Sequence, residues 1–209
     1  MSSSDEKQFD RSLSKAERRK EEVADAAWEV IAKKGLGGAS MREISHHLGV
    51  TVGTLTHYFR NKDQLLEFAQ IAVSRRLKDR FESVAEAPPS SRLMMMIEAL
   101  LPTDETRRDN EKVWLTFLTE TFTSDELKQQ TGKRWLYVRS SLTEIIIEDR
   151  KLSGHDPVLS PEDEADLILC FTEGLCVHSI IDKDRFPPER QRALAREILT
   201  AINIHTRAI

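Results

Sequence analysis

The sequence predicts an all-α fold of about nine helices, an N-terminal three-helix unit followed by a larger C-terminal helical bundle. Three observations predict it. Apolar residues recur at three- and four-residue intervals along most of the chain, and no run alternates as a half-buried strand would. The eight glycines and seven prolines are few and cluster between the periodic segments, where helices stop. Ser40, Thr51, Asn61 and Ser160 each stand where an N-cap is needed, directly before such a segment.

The elements follow in order. Residues 1–16 contain MSSSDEKQFDRSLSK, which has no apolar centre, so it reads as a disordered arm and not as a signal peptide or anchor. Val23, Ala27, Val30 and Ile31 mark the first helix, which should end before Gly35 and leave Gly37 and Gly38 in a loop. Ser40 and Glu43 form an S-x-x-E capping box, and Met41, Ile44 and Leu48 share one face of the second helix. Gly49 sits where a helix end wants a left-handed residue. Thr51 caps the third helix, with Val50 and Leu55 placed as a hydrophobic staple. Leu55 and Phe59 point to the core, and Gly53, Thr54 and His57 fall on the other side, flanked by Thr56 and Tyr58.

Asn61 caps the fourth helix, with Gln64 at the capping-box position. From Lys62 to Ala85 it would span about 36 Å. Pro88 and Pro89 stop it. A short helix carries Met94, Met95 and Met96, the next Trp114, Phe117, Leu118 and Phe122, and another runs from Asp125 to Asp149. After the loop KLSGHDPVLSP, Ser160 and Pro161 open the eighth helix, and Pro187-Pro188 leads into the ninth, which ends near His205. Boundaries follow: the arm at 1–16, a first helical domain at 17–76 with its two-helix core at 40–59, and a larger helical domain at 77–209.

Two short capped helices joined by a glycine turn have the layout of a helix-turn-helix, whose second helix enters the major groove. No charged residue lies between Glu43 and Arg60. Base readout would therefore rest on hydroxyls, an imidazole and methyl contacts to thymine, from Val52, Gly53, Thr54, Thr56 and His57. Ser40, Arg42, Thr51, Tyr58 and Lys62 complete the candidate set, with Ser40, Tyr58 and Lys62 suited to phosphates. His46, His47 and His57 lack zinc-site spacing, so no metal and no cofactor is expected.

At this point the residues resemble a known family. The segment from about Arg18 to Ala72 is similar to the DNA-binding domain of TetR-type repressors. Gly49, Val50, Thr51, Gly53, Leu55, Tyr58 and Phe59, then Lys62, Asp63, Leu65 and Leu66, carry the likeness. Thr56 departs from it, standing where the family usually has a tyrosine that touches a phosphate. More loosely, KVWLTFLTE, the Glu-Gly-Leu around Gly174 and the Pro-Pro-Glu before the last helix resemble the BetI-like subgroup. The resemblance implies a homodimer that binds a palindromic double-stranded DNA operator and is released by a small molecule. An alternative is control by a protein partner with no small effector.

Composition agrees with a two-part chain. The 209 residues are 39% hydrophobic and 32% charged, as in soluble helical proteins, and no stretch approaches a membrane span, so a cytoplasmic protein is expected. Residues 1–80 hold 15 Lys and Arg against 12 Asp and Glu, a net of +3; residues 81–209 hold 16 against 23, a net of −7. Cys170 and Cys176, six apart on one helix, cannot readily pair and should be free buried thiols. No phosphate loop, metal cluster or nucleophile motif points to an enzyme. Two further jobs fall to the C-terminal helices. Leu167, Phe171, Gly174, Leu175 and His178 are the candidate dimer interface, on a helix with more apolar surface than one stripe needs. Met95, Trp114, Phe117, Glu120, Trp135, Phe171 and Glu173 are the candidate ligand pocket; aromatics with a carboxylate would suit a cationic ligand.

Overall fold

The computed structural model describes residues 14–153 and 159–205. Among the described residues it is all-α, with nine helices: α1 (Lys15–Gly38), α2 (Met41–Leu48), α3 (Val52–Tyr58), α4 (Lys62–Ala85), α5 (Pro89–Leu100), α6 (Glu105–Glu120), α7 (Asp125–Ser153), α8 (Pro161–Ile181) and α9 (Pro188–His205). The chain divides into two compact units between Val73 and Ser74, within α4.

The first unit is organised by caps. α1 opens on a full capping box: the Ser14 hydroxyl accepts from the Glu17 N–H, and the Glu17 carboxylate accepts from the Ser14 N–H at 2.8 Å. The arm expected through residue 16 therefore gives way to helix at Lys15, and its first 13 residues lie outside the described ones. Gly35 takes φ 69° and kinks α1, after which one further helical stretch reaches Gly38, so Gly37 and Gly38 are not the loop expected of them. Ser40 caps α2 through the Glu43 N–H at 3.1 Å, but the reciprocal half of the expected box is missing: the Glu43 carboxylate pairs with Lys34 instead. Gly49 is left-handed at φ 68° and ends α2, and Thr51 caps α3 through the Thr54 N–H at 3.2 Å. Asn61 accepts from the Gln64 N–H, while the Gln64 side chain reaches past the cap to accept from the Arg60 N–H at 2.8 Å.

The core of this unit is Val23, Ala27, Val30 and Ile31 of α1, Ile44 of α2, Leu55 and Phe59 at α3, and Leu65 and Ala69 of α4. Full burial of a side chain such as Leu55 contributes roughly 1.5–3 kcal/mol.

In the second unit α7 and α8 lie side by side, with α5 and α6 packed on both and α9 against α5 and α8. Leu77, Phe81, Met96, Ile97, Val138, Leu142, Ile146, Ile168 and Ala195 form its continuous core. Pro89 occupies the first turn of α5, and Ser160 and Pro161 open α8 as expected. α7 runs four residues beyond Asp149, to Ser153; of the expected loop, residues 154–158 lie outside the described ones. Phe122, expected on the sixth helix, lies past its end and is 85% exposed. A buried ion pair, Arg150 to Glu164 at 2.6 Å, ties α7 to α8, and Arg150 also donates to the Leu159 carbonyl.

Gly49 offers a clean test of the turn. An added Cβ there would meet nothing within 4 Å, so the cost of Gly49→Ala is the left-handed backbone alone. Urea unfolding should show a loss of about 1–2 kcal/mol, with Gly49→Asn losing less; equal stability of all three proteins would contradict the geometry.

Candidate functional site

The first unit presents a small polar face. Leu55 and Phe59 anchor α3 inward, which leaves Thr51, Val52, Gly53, Thr56 and His57 exposed on the other side. Val52 is 40% exposed, the one large apolar group on this face. The Thr56 hydroxyl donates to the Gly53 carbonyl at 3.0 Å. His57 sits edge-on to Tyr58, with ring centroids 5.1 Å apart. Thr54 differs from the expectation: it is half-buried, and its hydroxyl lies 3.1 Å from that of Thr51, so it supports the cap. Ser40 and Arg42 are exposed at the start of α2. Lys62 already has work within the fold, since its ammonium donates to the Leu36 carbonyl at 3.0 Å.

An internal reason for Gly53 is lacking. Its φ is not positive, and an added Cβ would meet only the Thr51 hydroxyl, at 3.6 Å. The fold tolerates alanine there. What a glycine provides is close approach of something from outside.

The second unit contains a cleft of about 510 Å³, counting its solvent-open mouth. Three helices set its chemistry at helical spacing: Arg107, Glu111 and Trp114 on α6; Arg134, Trp135 and Val138 on α7; Leu169, Thr172, Glu173 and Cys176 on α8. Leu77 and Arg80 of α4 and Leu100 of α5 complete the lining. Of the residues expected here, Trp114, Trp135 and Glu173 are brought together. Met95 is exposed on α5, Phe117 is buried core, and Glu120 and Phe171 do not line the cleft.

The charged lining was missed. Arg80, Arg107, Glu111 and Arg134 share helix faces with the tryptophans and core residues, and that in-phase placement is the signal a sequence reading could have used. Burial pushes the Glu111 carboxyl up to about 7, against the pull of Arg134. Loss of hydration likewise lowers Arg134 to about 10. The Arg134 guanidinium lies over the Trp114 ring, 3.6 Å from its centroid, and its Nη1 is buried without a hydrogen-bond partner. Glu173 is also raised by burial, although the Trp135 indole N–H donates to it at 2.6 Å. Burial raises the Cys176 thiol well above its ordinary value. Cys170, expected to be buried, is exposed.

A third surface lies on α8. Leu167, Cys170, Gly174, His178 and Ile181 are exposed at spacings that put them on one side, with Phe171 half-buried beside them. Leu167 is 48% and Ile181 78% exposed. Leu175, expected on this side, is instead buried in the core of the second unit. Among the described residues no cluster of His, Cys, Asp and Glu could hold a metal, and no helix is long and apolar enough to cross a membrane.

Comparison with known proteins agrees with this layout. Residues 23–69 match the profile of the bacterial regulatory proteins of the tetR family, and residues 89–203 match the C-terminal domain of BetI-type transcriptional repressors. The HTH-type transcriptional regulator PksA of Bacillus subtilis is 25% identical over 188 residues, covering 89% of this chain and 90% of PksA. A transcriptional regulator from Rhodococcus sp. Rha1 superposes with a TM-score of 0.80 at 28% identity, over 91% of this chain and 98% of its own. A regulator from Saccharomonospora viridis, solved in complex with choline, has the same fold: TM-score 0.79 at 19% identity, over 88% of this chain and 96% of its own. With both its helix-turn-helix segment and its C-terminal bundle matched, the chain belongs to the TetR family of bacterial transcriptional regulators, with a C-terminal domain of the BetI type.

Proposed function

We propose that this regulator is a repressor that binds a palindromic operator as a homodimer and is released when a small molecule fills the cleft of its second unit. Residues 17–76 are the DNA reader and residues 77–209 the sensing and dimerising part, acting in the cytoplasm. The observation that carries the reading is Gly53: a helical glycine that nothing inside the fold requires, at the centre of an exposed, uncharged helix face. Thr51, Val52, Thr56 and His57 surround it, which suits hydroxyl and imidazole hydrogen bonds and methyl contacts in the major groove. Ser40, Arg42 and Tyr58 flank it toward the phosphates. The exposed apolar stripe of Leu167, Gly174, His178 and Ile181 supports pairing of α8 with its copy about a two-fold axis, which a palindrome requires. The positive balance of residues 1–80 is small, so a monomer would hold DNA weakly.

Three measurements test this. Gly53→Ala should fold with wild-type stability yet lose operator affinity, and His57→Ala should cost about 1–3 kcal/mol of specific binding. Titration of a footprinted operator checks both, and unchanged affinity would show that another face reads the DNA. Gly174→Arg, at a position with open space around it, should give a folded monomer by light scattering; a persistent dimer would move the interface elsewhere. Linkage requires that an effector and the operator weaken each other's binding by the same factor. Equal effector affinity with and without saturating operator would favour control by a protein partner.

A further inference from the structure

We propose that the cleft of the second unit takes a small organic carboxylate, anchored by the Arg134 guanidinium with its apolar body against Leu77, Val138 and Leu169. The proposal rests on the sensor reading above and names the ligand class of that same cleft.

Three observations carry it. First, one guanidinium nitrogen of Arg134 has no acceptor. Its Nη1 is buried and unpartnered, and Glu111 and Glu173 act on it through charge, with no hydrogen bond. A buried guanidinium nitrogen left unsatisfied is costly, and a carboxylate is the acceptor whose geometry matches the guanidinium fork. Second, the place a quaternary ammonium would choose is filled. One face of the Trp114 ring is covered by the chain's own cation, 3.6 Å from its centroid. A ring stacked in this way has less to offer a second cation, and it holds the arginine in place for an anion. Third, the balance of charge in the lining is positive. Arg80, Arg107 and Arg134 face two carboxyls, and Glu111 is desolvated enough to be protonated in half the molecules near neutrality. Arg107 is partly neutralised by Asp104 at 3.1 Å and also donates to the Glu98 carbonyl, and the Arg80 Nε–H donates to the Arg76 carbonyl at 3.3 Å, which leaves Arg134 as the better anchor for the ligand. Leu77, Leu100, Val138 and Leu169 give the cleft an apolar part, which suits a short hydrocarbon or a single ring.

The sign of the pH dependence follows. A protonated Glu111 can donate to a bound carboxylate, and an ionised one repels it. Carboxylate affinity should therefore fall as pH rises through about 7. The other groups facing Glu111 are Arg80 from α4, Arg107 from α6, Arg134 from α7 and Glu173 and Cys176 from α8. Arg134, lowered only to about 10, stays charged across this range, and the raised Cys176 thiol stays neutral.

The experiment is calorimetry on the full chain with two probe sets. One is acetate, butyrate, octanoate and phenylacetate; the other is tetramethylammonium and choline. Both are measured at about pH 6 and about pH 8, either side of the Glu111 transition, and each probe is also scored for release of operator DNA. The expected result is binding within the carboxylate set, tighter at the lower pH, with at least an about tenfold loss in Arg134→Met. Arg134→Lys, which keeps the charge and loses the fork, should fall between. Glu111→Gln should remove the pH dependence. Should either arginine variant fail to fold, the wild-type ranking of the two sets and its pH trend decide alone. Tighter binding of the cations, seated against Trp135 and Glu173, overturns the carboxylate assignment and leaves the sensor reading standing. Silence from every carboxylate also overturns it. If, in addition, no metabolite of any class releases the operator, the sensor reading falls as well.

Discussion

Helix α3 has seven residues, well under the roughly 12–15 that an isolated helix needs to persist in water. Its existence therefore depends on what fixes its ends and its inner side. Thr51 satisfies its first free amide, Gly49 supplies the left-handed step that brings the chain around from α2, and Leu55 and Phe59 bury its inner side completely. With those fixed, the outer side has no freedom left: Val52, Gly53, Thr56 and His57 must face solvent. A surface built this way contains no long flexible side chains, so little conformational entropy would oppose the docking of a partner on it.

The second unit solves the opposite problem. It holds charged groups out of water in a wall that also contains tryptophans, leucines, a valine, Thr172 and Cys176. Desolvation works against each of them, raising Glu111 and lowering Arg80 and Arg134. The protein recovers part of that cost through the Trp114 ring and the Trp135 indole N–H, and leaves the remainder on Arg134. Core packing alone would not keep such an arrangement, because apolar residues of similar size would fill the space at lower cost.

What could be read from the residues divides along the same line. Caps, the glycine turn and the inward pair Leu55 and Phe59 are local, set by neighbours within four positions, and they were legible. Even there tertiary partners intervened. Glu43 fits a capping box by spacing, yet Lys34 of α1 takes its carboxylate. Ser14 and Glu17 make the complete box in a stretch whose composition suggested disorder. The cleft was less legible, because helical spacing says which residues share a face and not which neighbour that face meets. Phe117 and Trp114 are three apart on α6, and only the packing of α7 and α8 decides that one is core and the other lining. Size alone marks a large aromatic as candidate lining, whereas helical spacing does not tell a lining arginine from a solvated one.

The bond from Lys62 to the Leu36 carbonyl gives the first unit a mechanical property. Lys62 is the first residue of α4, and Leu36 lies just past the kink of α1. The first turn of α4 is thus fastened at three points: to α1 through this bond, to the residues just after α3 through the Asn61 and Gln64 caps, and to the core through Leu65 and Leu66. A force on that turn is shared among these fastenings rather than concentrated on the seven residues of α3, so the first unit is braced as one piece.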